Sequence, residues 1–192
     1  GNRCVETQNP TMPDTVILVP SCDRYRDLWR PFMALLRRNW PDCSYPVYVG
    51  SNRAVCDEPG THTLAVGDDT TWTRGFRAMI DRLDAPVVLL LLEDFFFRAP
   101  VNTARVEGLR KDFERLQAAY LRLIPEPPPD LKLARFPEVG EIAPGAPYRT
   151  SLQAAFWRVE DLRALLRDEE NVWQMEVLGS RRSDGFDRGF YC

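Results

Sequence analysis

The sequence predicts an α/β fold, a three-layer α/β/α sandwich around a central, mostly parallel (mixed) sheet. Three observations carry this expectation. Residues 87–92 are six consecutive aliphatic side chains, too few to cross a membrane and suited to one strand buried on both faces. Two carboxylates, Glu93 and Asp94, follow at once, in the place where open α/β sheets bind ligands. Over residues 15–92 the segments run strand, helix, strand, strand, helix, strand.

Taken in order, residues 1–13 are polar with two prolines and read as a flexible leader, leaving one domain over 14–192. Residues 15–19 form a buried strand stopped by Pro20. Ser21 and Asp23 can cap a helix over 24–38, whose Leu28, Phe32, Leu35 and Leu36 keep helical spacing. A strand at 46–49 closes at Gly50-Ser51-Asn52, and a short one at 63–66 ends at Gly67-Asp68-Asp69. Thr70 or Thr71 can cap a helix over 72–83. After the aliphatic strand, residues 101–117 return to helical periodicity.

The second half is less regular. Residues 120–123 fit a strand, 125–129 a polyproline-like break, and 140–147 a loop with two glycines and two prolines. Residues 151–166 are expected to be helix in two pieces around 158–160, and Asn171 to cap a last helical turn bearing Trp173 and Glu176.

Composition narrows the function classes. The chain has 192 residues, enough for one domain that buries roughly 70% of its unfolded surface. Its net charge of -3 argues against a general polyanion binder, and a nucleic-acid partner is disfavoured. The five cysteines lack CxxC spacing and His62 is the sole histidine, which disfavours a zinc site and the usual nucleophile–histidine triads. An odd cysteine count without a secretory signal fits reduced thiols and a cytoplasmic setting.

Three acidic strand ends then fall on one expected edge: Asp23 after the first strand, Asp68 and Asp69 after the third, Glu93 and Asp94 after the fourth. A carboxylate after the first strand can accept from a ribose or base, or simply cap the helix. Asp94 or Glu93 can ligate Mg²⁺ or Mn²⁺ through oxygen and so neutralise a diphosphate. Arg74, Arg77, Arg149, Arg181 and Arg182 are further candidates for countering phosphate charge.

These blocks have a collective resemblance. Residues 15–25, 69–72 and 90–96, with 148–157 and 172–176, resemble nucleotide-sugar glycosyltransferases of the GT-A fold, closest to small bacterial proteins of surface-polysaccharide synthesis. The resemblance implies a nucleotide-contacting loop at Pro20, Ser21, Asp23 and Arg24, supported by Asp69 and Trp72. It implies that the acidic motif Glu93-Asp94-Phe95 stands where the family often has Asp-X-Asp, with Asp94 as metal ligand and Glu93 beside it. It further implies Glu176 as general base of an inverting reaction, with Arg149, Gln153, Trp157 and Trp173 on the substrate.

The implied cofactor is Mn²⁺ or Mg²⁺ and the implied co-substrate a nucleotide sugar. A glycan or lipid-linked glycan is the expected acceptor, with any membrane contact peripheral, at the inner face of the membrane. GT-A domains usually run longer, so a truncated or minimal form is expected. Two other classes stay open: a nucleotidyltransferase, which would favour a glycine-rich loop where Pro20-Ser21-Cys22-Asp23 has none, and a degenerate GT-A domain that binds a glycan or a partner.

Overall fold

The computed structural model describes residues 13–68 and 71–192. Residues 1–12 of the leader expected over 1–13, the alternative cap Thr70 and the expected site residue Asp69 lie outside the described residues. Nine strands form one sheet in the order β3-β2-β1-β4-β8-β5-β9-β7-β6. Strands β1 (Thr15–Val19), β2 (Val47–Ser51), β3 (Thr61–Ala65) and β4 (Val87–Leu90) pair in parallel, with a helix crossing between β1 and β2 and between β3 and β4 and a helix-free loop between β2 and β3. Helices α1 (Arg26–Asn39), α2 (Trp72–Ile80) and α3 (Thr103–Arg115) form close to their expected places. Thr71 caps α2 by accepting from the Arg74 N–H, and Asn102 caps α3 by accepting from that of Arg105.

The second half completes the sheet with β5 (Tyr120–Arg122), the pair β6 (Leu131–Leu133) and β7 (Phe136–Glu141), β8 (Ala155–Arg158) and β9 (Phe190–Tyr191). Helices α4 (Val159–Leu165) and α5 (Val172–Ser183) accompany them. Strand β8 runs antiparallel between β4 and β5, which makes the sheet mixed.

The side-chain alternation of the strands separates the two helical layers. Ile17, Val19 and Leu89 face one side, where Trp29, Phe32, Met33 and Leu36 of α1 and Phe113 of α3 cover them. Val16, Leu18, Val88 and Leu90 face the other, under Phe76, Met79 and Ile80 of α2, Leu162 and Leu165 of α4, and Met175 of α5. Each fully buried Phe contributes about 1.5–3 kcal/mol of hydrophobic stabilisation. This is the expected α/β/α sandwich.

Two local expectations are corrected. Residues 155–158 are the strand β8, not helix, and helix begins only at Val159. Ala155, Phe156 and Trp157 are all fully buried, so this strand lacks polar–apolar alternation and its apolar run also fits a helix period. Residues 140 and 141 belong to β7 rather than a loop, and Phe190 and Tyr191 pair with β5 and β7. Among the described residues no helix is long and apolar enough to cross a membrane.

Candidate functional site

The parallel strands β1, β2 and β4 end on one edge of the sheet, where β8 begins, since Leu90 pairs with Ala155. A cleft of about 950 Å³ opens there. It is lined by the loop after β1, the loop after β4, the lead-in to β8 and the first turns of α5. Pro20, Ser21, Trp72, Glu93, Asp94, Gln153, Trp173 and Glu176 from the sequence reading all face it.

The floor is a hydrogen-bonded relay. The Trp29 indole N–H donates to Ser21 Oγ at 2.9 Å, and Ser21 Oγ donates to Glu93 Oε1 at 2.9 Å. Glu93 is only 8% exposed. Burial pushes its carboxyl above the ordinary value; its own backbone N–H and the Ser21 hydroxyl oppose this, and the neighbouring Asp94 charge adds to it. Asp94 itself is exposed at the cleft.

The opposite wall holds Glu176. Asn171 and Gln174 form a reciprocal capping box that fixes the start of α5, which sets Trp173 in its first turn and Glu176 just beyond it. Glu176 Oε1 accepts from the Leu152 backbone N–H at 2.8 Å, so its carboxylate is tied to the lead-in of β8. The loop before α5 is pinned from outside: Arg182 makes a bidentate pair with Glu170 at 2.6 Å, and Arg77 bonds Asp168 at 2.6 Å and the Leu166 carbonyl at 2.6 Å.

Beside Glu176, Gln153 Nε2 donates to the Glu126 carbonyl at 3.3 Å, while its Oε1 is buried without a partner. A buried amide oxygen facing a cleft without a donor is costly unless a ligand supplies one. Tyr148 lines the same wall at φ +53°, a left-handed conformation rare for a bulky residue. Arg122, 2% exposed, holds this wall by donating to the carbonyls of Tyr148 at 3.2 Å and Pro127 at 2.5 Å.

Several expected site residues do other work. Asp23 neither caps α1 nor lines the cleft. Its carboxylate accepts the backbone N–H groups of Asn52, Arg53 and Ala54 at 2.9–3.1 Å, while its own N–H donates to Asn52 Oδ1. Desolvation would raise its pKa, but the N–H bonds from Ala54, Arg53 and Asn52 and the Arg26 charge outweigh it and hold the carboxyl below the ordinary value. With Asn52 Nδ2 on the Gly67 carbonyl, the pair clamps the loops after β1, β2 and β3 together.

Trp157 cannot touch a substrate, because it is fully buried in β8 against Tyr120 and Phe190. Arg149 is 3% exposed, its guanidinium spent on the Ile142 and Ser183 carbonyls and stacked on Phe190 at 4.4 Å. Burial lowers its pKa, against the charges of Asp184 and Glu141. Arg24 is exposed at the mouth, over the Tyr25 ring at 5.8 Å. Of the other arginines, Arg77 and Arg182 are consumed by the pins described above. Asn52 and Tyr148 were missed as site residues; Asn52 ends β2, so the strand-end rule that found Glu93 applies to it equally.

The donor set fits a divalent cation only in part. Among the described residues no three His, Cys, Asp or Glu side chains gather as a metal cage. Glu93 is buried and bonded to Ser21, which leaves Asp94 as the exposed carboxylate. A Mg²⁺- or Mn²⁺-type ion that takes one or two carboxylates and completes its shell with substrate phosphate and water fits such a set.

No protein-family model matches this chain, and no curated protein matches it. Among solved structures it is similar to the crystal structure of S. aureus TarS 1–349, a glycosyltransferase, with a TM-score of 0.57 and 10% sequence identity. The likeness covers 93% of this chain and 60% of that one, so this chain spans about three fifths of its neighbour's length. It shows the fold, a GT-A-like mixed α/β sheet.

Proposed function

We propose that the chain is a hexosyltransferase-type glycosyltransferase that moves a sugar from a nucleotide-diphosphate sugar to an acceptor hydroxyl, with inversion and with help from a divalent cation. The observation that carries this reading is the single cleft in which Glu176, tied to Leu152, faces the same space as Glu93 and Asp94. The acceptor loses its proton to Glu176 as its oxygen bonds to the anomeric carbon. The bond from that carbon to phosphate breaks as this happens, and the nucleoside diphosphate leaves with the electron pair. Trp173 at the mouth, 74% exposed, offers a flat apolar face to a sugar ring.

The charge balance supports the cation. Among the described residues lining the cleft none is Lys or Arg, whereas Glu93, Asp94, Glu126 and Glu176 are carboxylates. A diphosphate entering there needs positive charge from elsewhere, and a cation held by Asp94 would supply it by neutralising the leaving group. Glu93, protonated more readily than an ordinary carboxyl, would stay as a hydrogen-bonded floor beside it.

Calorimetric titration with UDP, GDP and CDP, with and without Mn²⁺, tests this. The expected result is Mn²⁺-dependent binding of one nucleotide that is lost in Asp94→Ala. Absence of binding to all three would overturn the transferase reading and leave a degenerate, glycan- or partner-binding domain. With a donor identified, Glu176→Gln is expected to keep donor binding and lose turnover about 10²–10⁴-fold. Survival of turnover would place the base elsewhere.

A further inference from the structure

We infer that the acceptor is a glycan of more than one sugar, and that a second hollow beside the cleft, divided from it by Tyr148, holds the unit behind the one modified. This rests on the reading that the cleft takes a glycan. The hollow, of about 290 Å³, lies between residues 145–148 and α5. Ligand pockets begin near about 300 Å³, so it has room for one ring. Tyr148 lines both the cleft and the hollow and is 50% exposed, which makes it their shared wall. Helix α5 serves both sides: Trp173 and Glu176 line the cleft, while Val177 and Arg181 line the hollow. Adjacent residues of one helix thus face the reacting hydroxyl and the hollow.

The wall is held in a strained form. Tyr148 keeps φ +53°, a conformation that persists for a bulky residue only where its surroundings impose it. Buried Arg122 donates to the Tyr148 carbonyl at 3.2 Å. The next two residues are fixed as well: Arg149 is spent on the Ile142 and Ser183 carbonyls, and the Thr150 N–H donates to Ser180 Oγ at 3.1 Å. Before Tyr148, the Gly145 N–H donates to Asp184 Oδ1 at 2.9 Å. The ring is therefore in place before a ligand arrives, and binding costs little ordering entropy.

The lining chemistry fits a pyranose. An aromatic ring takes the C–H face of a sugar, and Ala146, Pro147 and Val177 continue that apolar contact into the hollow. At its rim Arg181 is exposed, and its guanidinium makes no hydrogen bond or ion pair among the described residues. Its open donors, beside the Asp184 carboxylate, suit hydroxyls that both donate and accept. An acyl chain would use neither.

An array of bacterial oligosaccharides, graded from single sugars to hexasaccharides, tests this with neither nucleotide nor metal present. Failure here beside intact nucleotide binding in the calorimetric titration overturns this inference alone. The best-bound glycan is expected to hold about tenfold more tightly as a disaccharide or longer than as its single terminal sugar. Tyr148→Asn removes the ring but keeps a residue that tolerates the left-handed backbone, and it is expected to abolish that gain. Tyr148→Phe, which retains the ring, is expected to bind as the parent does. Val177→Gln is expected to lower the gain about threefold. Thermal unfolding at the parent midpoint would confirm that these exposed changes leave the fold intact. No binding at any length, equal binding at all lengths, or a gain that survives Tyr148→Asn or Val177→Gln in full would overturn the inference. So would a loss shared by Tyr148→Phe, which would place the contact on the hydroxyl rather than the ring.

Discussion

Asp23 and Glu93 follow β1 and β4, neighbouring strands of the same sheet, at the same edge, and they do opposite things. Asp23 gathers three backbone N–H groups from another loop and is held ionised; Glu93 is buried with only its own backbone N–H and the Ser21 hydroxyl and is pushed toward its neutral form. What separates them is the count of donors each can reach. A carboxylate saturated by main-chain donors is part of the scaffold, whereas one with few donors, at a cleft, keeps capacity for a ligand.

The sharpest way to break this contrast is Asp23→Ala. It strands three N–H groups and unclamps the loops after β1, β2 and β3, so a loss of roughly 2 kcal/mol is expected by urea denaturation, discounted for partial exposure. Asp94→Ala should cost almost no stability. Equal losses in the two would mean that the donor count does not divide scaffold from site. Next in size is Gln153→Ala. It removes the orphaned oxygen, and about tenfold weaker binding of a nucleotide sugar is expected, with binding of the bare nucleoside diphosphate unchanged. Equal weakening of both ligands would take Gln153 off the sugar.

The smallest effect is in the pH dependence, and the two acids carry opposite signs. The folded pKa of Asp23 is lowered, so its contribution is present above the ordinary carboxylate range and is lost as pH falls through the lowered value. The folded pKa of Glu93 is raised, so stability is full below the ordinary value and declines as pH rises through the raised one. In Glu93→Gln that decline should vanish while the acid-side loss from Asp23 remains. Unfolding midpoints measured from pH 3 to 8 decide it; an unchanged profile on the neutral side would show that burial does not control Glu93.

The same division explains what was legible in the sequence. The half from β1 to α3 could be read because β1, β2 and β4 are largely apolar runs closed by Pro20, Asn52 or Glu93, and because Thr71 announces a helix start with a side-chain cap. Strand β8 was read as helix because Leu152, Ala155, Phe156, Val159 and Leu162 satisfy a helical spacing, and only the tertiary setting between β4 and β5 selects the extended form. Strands β6 and β9, of three and two residues, are too short to leave a periodic trace, and Pro137 and Gly140 within β7 read as loop residues.

In the cleft, the strand-end rule found Glu93 and Asp94, and the helix start placed Trp173 and Glu176. Trp157 and Arg149, which the resemblance implied on the substrate, are buried instead: β8 is covered on both faces, and Arg149 is held by the Ile142 and Ser183 carbonyls. No pattern of residue types could show that Asp23 reaches the backbone after β2, since that contact spans about thirty residues and depends on main-chain direction.

The bond from the Leu152 amide to Glu176 gives the molecule a built-in reporter. An amide proton shared with a carboxylate resonates and exchanges differently once that carboxylate takes a proton. The Leu152 N–H signal in a nuclear magnetic resonance titration therefore follows the charge of Glu176 directly, in the resting protein and without a substrate in hand.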